Sequence, residues 1–280
     1  MAEENQIWVI VRGGGDLASG AVLRLWRAGL RVLVLELPQP VVVRRLVAYA
    51  EAIYQNTTTV EESRACRVSD LQQARHAVQD GLVPVLVDPQ ASVLAVLRAT
   101  GAPLVLVDGR MTKRPPDLPH PAADFTVGLG PGFTAGENCH AVIETQRGHW
   151  LGRVLWAGSA APDSGQPERV GNFGSERVLR APAGGCFETQ AEIGQRVAAG
   201  QLLAQVGGHS LVAPFDGVLR GLLHSGLVVT PGMKVGDLDP RGDLHTCALV
   251  SDKALAVGGA VLEAILSRAE LRPWLWAGAG

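Results

Sequence analysis

The chain has 280 residues, of which 47% are hydrophobic, and a formal net charge of −2 at pH 7. This length permits two domains, each with its own core. The near-neutral charge argues against a protein that binds nucleic acid or a membrane surface, because both need a basic excess, and no apolar run is as long as a membrane span. Four cysteines without paired spacing predict a reducing, cytoplasmic setting; they are Cys66, Cys139, Cys186 and Cys247.

The amino-terminal region predicts a strand, a glycine-rich turn, a helix and a second strand. Ile7–Val11 is an uninterrupted apolar run, typical of a strand buried on both faces. The turn that follows contains Gly13-x-Gly15-x-x-Ala18, which fits the dinucleotide fingerprint, and Glu36 ends the second strand, where a carboxylate would accept a ribose hydroxyl. The predicted cofactor-binding residues here are Arg12, Gly13, Gly14, Gly15, Asp16, Leu17, Ala18 and Glu36.

The same turn also admits an interpretation without a ligand. A tight strand-to-helix connection would need these glycines in any case, and Asp16 would then serve only as the helix N-cap. Arg12 could hold a phosphate, whereas Asp16 would repel one unless it faces away as a cap. These two residues depart from an ordinary nicotinamide fingerprint, so NAD(P) is an alternative ligand and not the first one.

The next segments alternate between helix and strand patterns. The polar run Tyr54–Glu61 is either a short exposed segment or a loop folded over the site. The alternation predicts a Rossmann-like, doubly wound parallel sheet in residues 1–158. The predicted helices are Val41–Ala52, Asp70–Gly81 and Val93–Ala99, and the predicted strands are Val83–Pro89, Ala102–Val107 and Phe125–Leu129.

A second glycine-rich turn, Gly128–Gly136, follows the last of these strands. Its glycines let backbone amides converge on an anion, and the side chain of Thr134 adds a hydroxyl. Cys139 and His140 come next and are the candidate catalytic residues, since a thiol at an electropositive turn would have a lowered pKa and could carry sulfur or selenium. A buried structural cysteine is the alternative, and the histidines lack the spacing of a metal site. The predicted cofactor-binding residues of this turn are Gly130, Gly132, Phe133 and Thr134.

The character of the chain changes after residues 159–174, which are rich in Gly, Pro and Ser and predict a linker. Residues 175–250 show short β-like runs, and Arg180–Gly185 is echoed by Val212–Gly217, which predicts a duplicated β motif. This region resembles the barrel-sandwich hybrid fold of biotinyl and lipoyl carrier domains, although Gln205–Ser210 lacks the lysine that a carrier needs. Residues 251–280 predict a helix that docks on the first domain.

Several motifs together resemble one family along nearly the whole chain. They include Val11–Gly20, Gly128–Gly136 with Cys139-His140, Lys234–Arg241 and Gly258–Leu266. The sequence is similar to the YqeB family of the selenium-dependent molybdenum hydroxylase system. That resemblance implies an accessory or maturation protein, with the hydroxylase apoenzyme or other maturation proteins as partners, and it brings no set of catalytic residues.

The predicted function is therefore maturation of a selenium-dependent molybdenum hydroxylase. The protein would bind a phosphate-bearing ligand, the molybdenum cofactor or a nucleotide, at the two glycine-rich turns. The alternatives are an NAD(P)-dependent oxidoreductase acting on a small substrate and a non-catalytic adaptor. Whether the protein is an enzyme and whether it forms a homo-oligomer stay open.

Overall fold

A computed structural model describes residues 6–167 and 169–276. Residues 1–5 of the first predicted domain, residue 168 of the predicted linker and residues 277–280 of the last segment lie outside the described residues. The chain forms two compact units. Unit 1 comprises Met1–Pro38, Tyr49–Asp163 and Val250–Gly280, and unit 2 comprises Gln39–Ala48 and Ser164–Leu249.

Unit 1 is built on a nine-stranded mixed sheet, with the strand order β10-β9-β7-β6-β1-β2-β5-β4-β3. Neighbours from β9 to β4 run parallel, whereas β10 and β3 are antiparallel to their neighbours and close the two edges. A separate pair, β8 and β11, is also antiparallel. The strands are β1 (Trp8–Arg12), β2 (Val32–Glu36), β3 (Thr57–Val60), β4 (Ser63–Val68), β5 (Val83–Val87), β6 (Leu104–Asp108), β7 (Phe125–Leu129), β8 (Thr134–Ala135), β9 (Ala141–Ile143), β10 (Val154–Leu155) and β11 (Gly158–Ser159).

Six α-helices belong to the described part of unit 1. Their starts follow ordinary capping chemistry: the Asp70 carboxylate accepts from the Gln73 amide at 2.9 Å, and the Ser251 hydroxyl accepts from the Ala254 amide at 3.1 Å. The predicted helices that begin near Asp70, Val93 and Asp252 are confirmed. The helices are α1 (Asp16–Arg27), α2 (Ala52–Gln55), α3 (Leu71–Gln79), α4 (Val93–Arg98), α5 (Asp252–Leu266) and α6 (Arg272–Leu275), with a 3₁₀ turn at Tyr49–Glu51.

Helices α1 and α5 approach each other closely within unit 1. A Cβ atom added to Gly258 would overlap the carbonyl oxygen of Gly20, and one added to Gly20 would overlap the backbone of Ala254. The two glycines therefore let the backbones meet without intervening side chains. Helix α5 is thus part of the same compact unit as β1 and α1. None of the described helices combines the length and apolarity needed to cross a membrane.

The predicted helix Val41–Ala52 is wrong. Val43 lies outside any helix, and its carbonyl oxygen accepts a hydrogen bond from the Leu222 amide at 2.8 Å. The guanidinium of Arg44 donates to the carbonyl oxygens of Thr246 and Leu249 at 3.0 and 2.9 Å. These contacts, which are distant in sequence, place residues 39–48 in unit 2, with only a 3₁₀ turn at Arg45–Val47.

Unit 2 contains two four-stranded sheets, with the orders β12-β19-β17-β14 and β16-β15-β13-β18. All pairings between their strands are antiparallel. A core that includes Phe187, Leu203, Leu219 and Val235 is fully buried. The strands are β12 (Val178–Arg180), β13 (Gly185–Thr189), β14 (Arg196–Val197), β15 (Leu202–Val206), β16 (His209–Val212), β17 (Gly217–Leu222), β18 (Val228–Val229) and β19 (Lys234–Asp239), with 3₁₀ turns at Ser175–Arg177 and Leu244–Cys247.

The duplicated motif of unit 2 appears in its backbone hydrogen bonds. The carbonyl oxygen of Ala181 accepts from the Gly232 amide at 2.9 Å, and that of Ala213 accepts from the Gly200 amide at 2.8 Å. Each alanine precedes a proline in one of the two echoed segments, and each glycine ends a turn between two strands. The two copies of the motif thus make equivalent contacts.

The predicted fold class is corrected by this architecture. The predicted fold was a Rossmann-like parallel sheet, followed by a barrel-sandwich-hybrid domain and a C-terminal helix. It would require a fully parallel main sheet and domains that each consist of one continuous stretch of chain. Instead, the sheet of unit 1 is mixed, and unit 2 combines two antiparallel sheets with residues 39–48, which come from the middle of the first region. The polar segment Tyr54–Glu61, predicted as a short exposed segment or a loop over the site, contains β3, which pairs with β4 across a turn at Glu61, where φ is 54°.

Candidate functional site

The opening turn, residues 12–16, is closed by the chain's own carboxylate. The amide nitrogen of Gly14 lies 2.6 Å from Glu36 Oε1, and that of Leu37 lies 2.8 Å from Glu36 Oε2. Gly13 has a φ of 89° and donates from its amide to the Leu35 carbonyl oxygen. Burial raises the pKa of the Glu36 carboxyl, and the hydrogen bonds from Gly14 and Leu37 oppose that rise. The acceptor for the amides of this turn is therefore the side chain of Glu36.

The helix start beyond the turn is built by small residues. Gly15 occupies the N-cap with extended backbone and no side-chain cap bond, and Asp16 is the first helical residue. Leu17 follows in the first turn of α1, and a Cβ atom added to Gly109 would lie 2.8 Å from the Cβ of Ala18. The alternative that made Asp16 the N-cap is thus wrong, because Gly15 takes that position.

Beside this turn, four charged side chains form one ion-pair network at the ends of β1 and β6. Arg12 Nη1 lies 3.5 Å from Asp108 Oδ2 and 2.7 Å from Asp117 Oδ1, and Arg12 Nη2 lies 2.9 Å from the Pro89 carbonyl oxygen. Arg110 Nη2 lies 2.6 Å from Asp108 Oδ2 and 2.8 Å from Asp117 Oδ1. Each aspartate therefore bridges both arginines. We call Arg12 and Arg110 the arginine clamp.

The two aspartates of the network differ in their surroundings. The Asp108 side chain is only 5% exposed, whereas that of Asp117 is 59% exposed. Hydrogen bonds from Arg110 and then Arg12 hold the pKa of the Asp117 carboxyl well below its usual range. Burial alone would lower the pKa of Arg110, but its bonds to Asp108 and Asp117 raise it above the ordinary value. Asp117 and Arg110 are thus charged at neutral pH.

The clamp lies at the topological switch point of the sheet. Strand β1 has β2 on one side and β6 on the other, and the chain turns in opposite directions from it. In open α/β sheets, ligands bind outside the carboxyl ends of the strands at this point. The Gly109 amide donates to the Arg12 carbonyl oxygen at 3.0 Å, so the two strand ends that carry the clamp are directly joined.

The second turn, Gly128–Gly136, is also satisfied internally. The Gly130 amide donates to the Ile143 carbonyl oxygen at 2.9 Å, and the Thr134 amide donates to Asn138 Oδ1 at 2.8 Å. Phe133 is buried beside Gly128, where an added Cβ would overlap the ring. Gly132 lies against the carbonyl oxygen of Arg114, from the loop that also carries Asp117. That loop, residues 109–124, therefore contacts the second turn and the arginine clamp.

Cys139 and His140, the candidate catalytic pair, point to different environments. Cys139 is fully buried, and burial raises the pKa of its thiol to about 11. The predicted lowering of that pKa is wrong, because the side chain is desolvated rather than placed at an electropositive turn. His140 Nδ1 accepts from the Thr126 amide at 2.9 Å, which fixes the tautomer with the proton on Nε2.

Sequence reasoning missed the residues that pair with Arg12. Asp108 and Asp117 were not among the predicted site residues, and neither was Arg110, the second arginine of the clamp. These residues could have been found only from the pairing of β1 with β6, which places the carboxyl ends of the two strands side by side. That pairing is not visible in the sequence. Among residues 6–167 and 169–276, no group of three or more His, Cys, Asp or Glu side chains is arranged to hold a metal ion.

Fold and site together define an α/β unit with an internally neutralised anion site at its switch point, joined to a β unit. No family model matches the chain. Its sequence is 44% identical to the uncharacterized protein YqeB of Escherichia coli K12 over 258 residues, which are 92% of this chain and 47% of that protein. This similarity supports the YqeB family predicted from the motifs. The chain spans about half the length of this curated relative.

Solved structures give only distant likenesses. An aspartoacylase family protein from Mesorhizobium loti is 11% identical with a TM-score of 0.27, over 85% of this chain and 87% of that one. A succinylglutamate desuccinylase/aspartoacylase from Rhodobacter sphaeroides is 11% identical with a TM-score of 0.24, over 84% and 86%. An ectoine utilization protein from Ruegeria pomeroyi is 13% identical with a TM-score of 0.22, over 83% and 57%. Likenesses at this level assign no activity to the chain.

The predicted maturation role in a selenium-dependent molybdenum hydroxylase system is corrected. The solved structures named above are described as aspartoacylase, desuccinylase and ectoine utilization proteins, and the curated relative is described as uncharacterized. The turns that were to hold the phosphate-bearing ligand bind Glu36 and Asn138 instead. The sequence relative, described as uncharacterized, supports neither the oxidoreductase nor the adaptor alternative. The molybdenum cofactor, nucleotide and NAD(P) ligands, the hydroxylase partner and the cytoplasmic location stay predictions.

Proposed function

We propose that unit 1 binds a small organic molecule through a carboxylate group held by the arginine clamp. The observation that carries the proposal is the position of Asp117. Its Oδ1 lies 2.7 Å from Arg12 Nη1 and 2.8 Å from Arg110 Nη2, and its Oδ2 lies 2.9 Å from Arg110 Nη1. This arrangement is the bidentate geometry in which guanidinium groups recognise carboxylates. A free carboxylate would fit where that of Asp117 now lies.

The charges of the network favour a carboxylate over a phosphate. Without Asp117, the two arginines of the clamp and Asp108 leave one positive charge. A single carboxylate neutralises that charge, whereas a dianionic phosphate would leave an excess negative charge beside the buried Asp108. The ligand class that the clamp fits best is therefore a monoanionic carboxyl group.

The clamp is held ready for such a group. The side chain of Arg12 is only 2% exposed, and its head is fixed by Asp108 and by the Pro89 carbonyl oxygen. Arg110 is fixed by Asp108 through Nε and Nη2, at 3.0 and 2.6 Å. A guanidinium that is already oriented loses less conformational entropy when a ligand binds, which increases affinity.

The proposal is tested by isothermal titration of the whole chain with succinate, malate, glutamate and benzoate at constant ionic strength. Inorganic phosphate, AMP and NAD are titrated alongside, because a nucleotide ligand stays a prediction. We expect saturable binding of at least one carboxylate and at least tenfold weaker binding of phosphate. Binding of AMP or NAD by a chain that binds none of the carboxylates would contradict the assigned ligand class.

The matched variants are Arg110→Gln and Arg75→Gln. Arg110→Gln removes one side of the clamp, while the Asp108 carboxylate keeps its contacts with Arg12 and with the backbone amide of residue 110. Arg75 is exposed on α3, away from the clamp in sequence, and serves as the control for loss of one positive charge. We expect Arg110→Gln to weaken carboxylate binding at least tenfold and Arg75→Gln to leave it unchanged. Absence of carboxylate binding to the wild-type chain, or equal binding to Arg110→Gln, would overturn the proposal.

A further inference from the structure

We infer that Asp117 is an internal competitor of the ligand: its carboxylate occupies the arginine clamp and must leave before a ligand's carboxylate can enter. The inference rests on the proposed function and adds a mechanism that regulates the same site. Asp117 lies 105 positions after Arg12 in the chain, on the loop 109–124, so its contact with the clamp depends on how that loop is placed.

The comparison of Asp117 with Asp108 identifies which aspartate can leave. Asp108 ends β6, is 3% exposed and hydrogen-bonds the backbone amide of Arg110 as well as its side chain. Asp117 binds the clamp from the solvent side with a side chain that is 59% exposed. Once released, the exposed Asp117 carboxylate is hydrated, whereas the Asp108 carboxylate would stay buried without its partner. Asp117 is therefore the exchangeable anion.

The neighbouring contacts allow that exchange without movement of the whole loop. Leu118 and Ala122 pack against the core cluster of the sheet that includes Leu104 and Ala123. Lys113 pairs with Asp163 at 2.6 Å, and the Asp124 carboxylate accepts from the Leu104 amide at 2.8 Å. The loop is thus fixed on both sides of Asp117. Rotation of the Asp117 side chain into solvent is enough to expose the two guanidinium groups.

Protonation does not open the clamp in the ordinary range of pH. The guanidinium groups of Arg110 and Arg12 keep the pKa of Asp117 well below its usual range, so the carboxylate stays charged. An incoming carboxylate must therefore displace it by mass action. The measured affinity of the wild-type chain is then the intrinsic affinity of the open clamp multiplied by the fraction of molecules in which Asp117 has left the clamp.

The first test compares the wild type with Asp117→Asn and with the control Asp80→Asn. Asp80 is exposed at the end of α3, so its replacement removes the same charge elsewhere. We expect the carboxylate that binds best in the panel to bind Asp117→Asn at least tenfold more tightly than it binds the wild type. It should bind Asp80→Asn with the affinity of the wild type. Equal affinity of Asp117→Asn and wild type would overturn the internal competitor and leave the proposed function standing. Binding to Asp117→Asn without binding to the wild type would overturn the proposed function and support occupation of the clamp.

A second measurement uses acetate as the probe and does not depend on the identity of the ligand. In Asp117→Ala the clamp lacks its internal carboxylate and has space for a small one. We expect sodium acetate to raise the thermal midpoint of Asp117→Ala by several degrees more than sodium chloride of equal ionic strength does. The wild type should show a smaller difference, since acetate must compete with Asp117 for the clamp. Equal effects of the two salts on Asp117→Ala would overturn the inference.

Discussion

The amide nitrogen of Gly14 lies 2.6 Å from Glu36 Oε1, so the turn that resembles a dinucleotide fingerprint binds a carboxylate of its own chain. The same pairing fixes the end of β2 against the turn that follows β1. A buried amide needs an acceptor, and here that acceptor is a side chain rather than a ligand. Because the ligand-binding amide is already occupied, the best candidate for an external anion is the neighbouring arginine clamp.

Replacement of Glu36 by alanine tests how much this internal anion contributes to stability. The buried Gly14 amide would lose its acceptor, and we expect the free energy of unfolding to fall by about 1–3 kcal/mol. Chemical denaturation at pH 7 measures the change. Glu137→Ala is the control, because Glu137 is exposed just after the second turn, and it should shift stability by no more than about 0.5 kcal/mol. Equal stability of Glu36→Ala and wild type would show that the turn does not depend on this carboxylate.

Glu36→Gln separates the charge of this group from its hydrogen bonding. The folded-state pKa of Glu36 is raised by burial, so the folded protein holds this proton more tightly than the unfolded chain. That contribution to stability is present at acidic pH and is lost as pH rises through the folded-state pKa. We therefore expect stability relative to Glu36→Gln to decrease as pH rises above about 4.3, the ordinary pKa of a glutamate. A difference between the two proteins that does not change with pH would contradict the assigned shift.

Elements with a strong local pattern were predictable from the sequence. The apolar run before the opening turn gave β1, and the Asp70 cap with apolar spacing gave α3, because both depend on neighbours within a few residues. The helix predicted at residues 41–52 failed because Val43 and Arg44 bond to residues more than 170 positions away. Strand β3 was missed because it is mostly exposed and pairs with β4 through its backbone.

The candidate site was predictable only in part, for the same reason. Arg12 was singled out because it precedes the glycines of the turn. Its partners Asp108 and Asp117 come from positions 96 and 105 residues later, so only the fold reveals that they meet. In both glycine-rich turns a backbone amide donates to a side chain of the protein, Glu36 in the first and Asn138 in the second. A sequence motif does not specify where these side chains lie.

The hydrogen bond from Thr126 to His140 predicts a dependence of stability on pH. Burial lowers the pKa of His140, and the nearby His120 and Arg268 lower it further, while Asp124 opposes them. The unfolded chain thus binds this proton more readily than the folded protein. The contribution to stability is complete above about 6.5, the ordinary pKa of a histidine, and is lost as pH falls through the lower folded-state value.

His140→Asn tests this assignment, since the Asn side chain offers an acceptor near Nδ1 but does not titrate. We expect the variant to lose less stability than the wild type when the pH is lowered from 7.5 to 5.0, as measured by urea denaturation. Protonation of Nδ1 in the wild type also removes the hydrogen bond from Thr126, which is worth about 0.5–1.5 kcal/mol. His76→Asn, on the exposed face of α3, should follow the wild type. If the His140 variant follows it as well, another group causes the acid sensitivity.

Two adjacent glycines in α5 provide a matched test of the crossing between α1 and α5. A methyl group at Gly258 would overlap the carbonyl oxygen of Gly20, whereas nothing lies within 4 Å of a methyl group at Gly259. Both positions are helical, so the gain in helix propensity is the same for each. We expect Gly258→Ala to lower the free energy of unfolding by about 1–3 kcal/mol through overpacking. Gly259→Ala should raise it by about 0.5–1 kcal/mol. Similar changes in both variants, measured by chemical denaturation, would contradict a close backbone contact between the two helices.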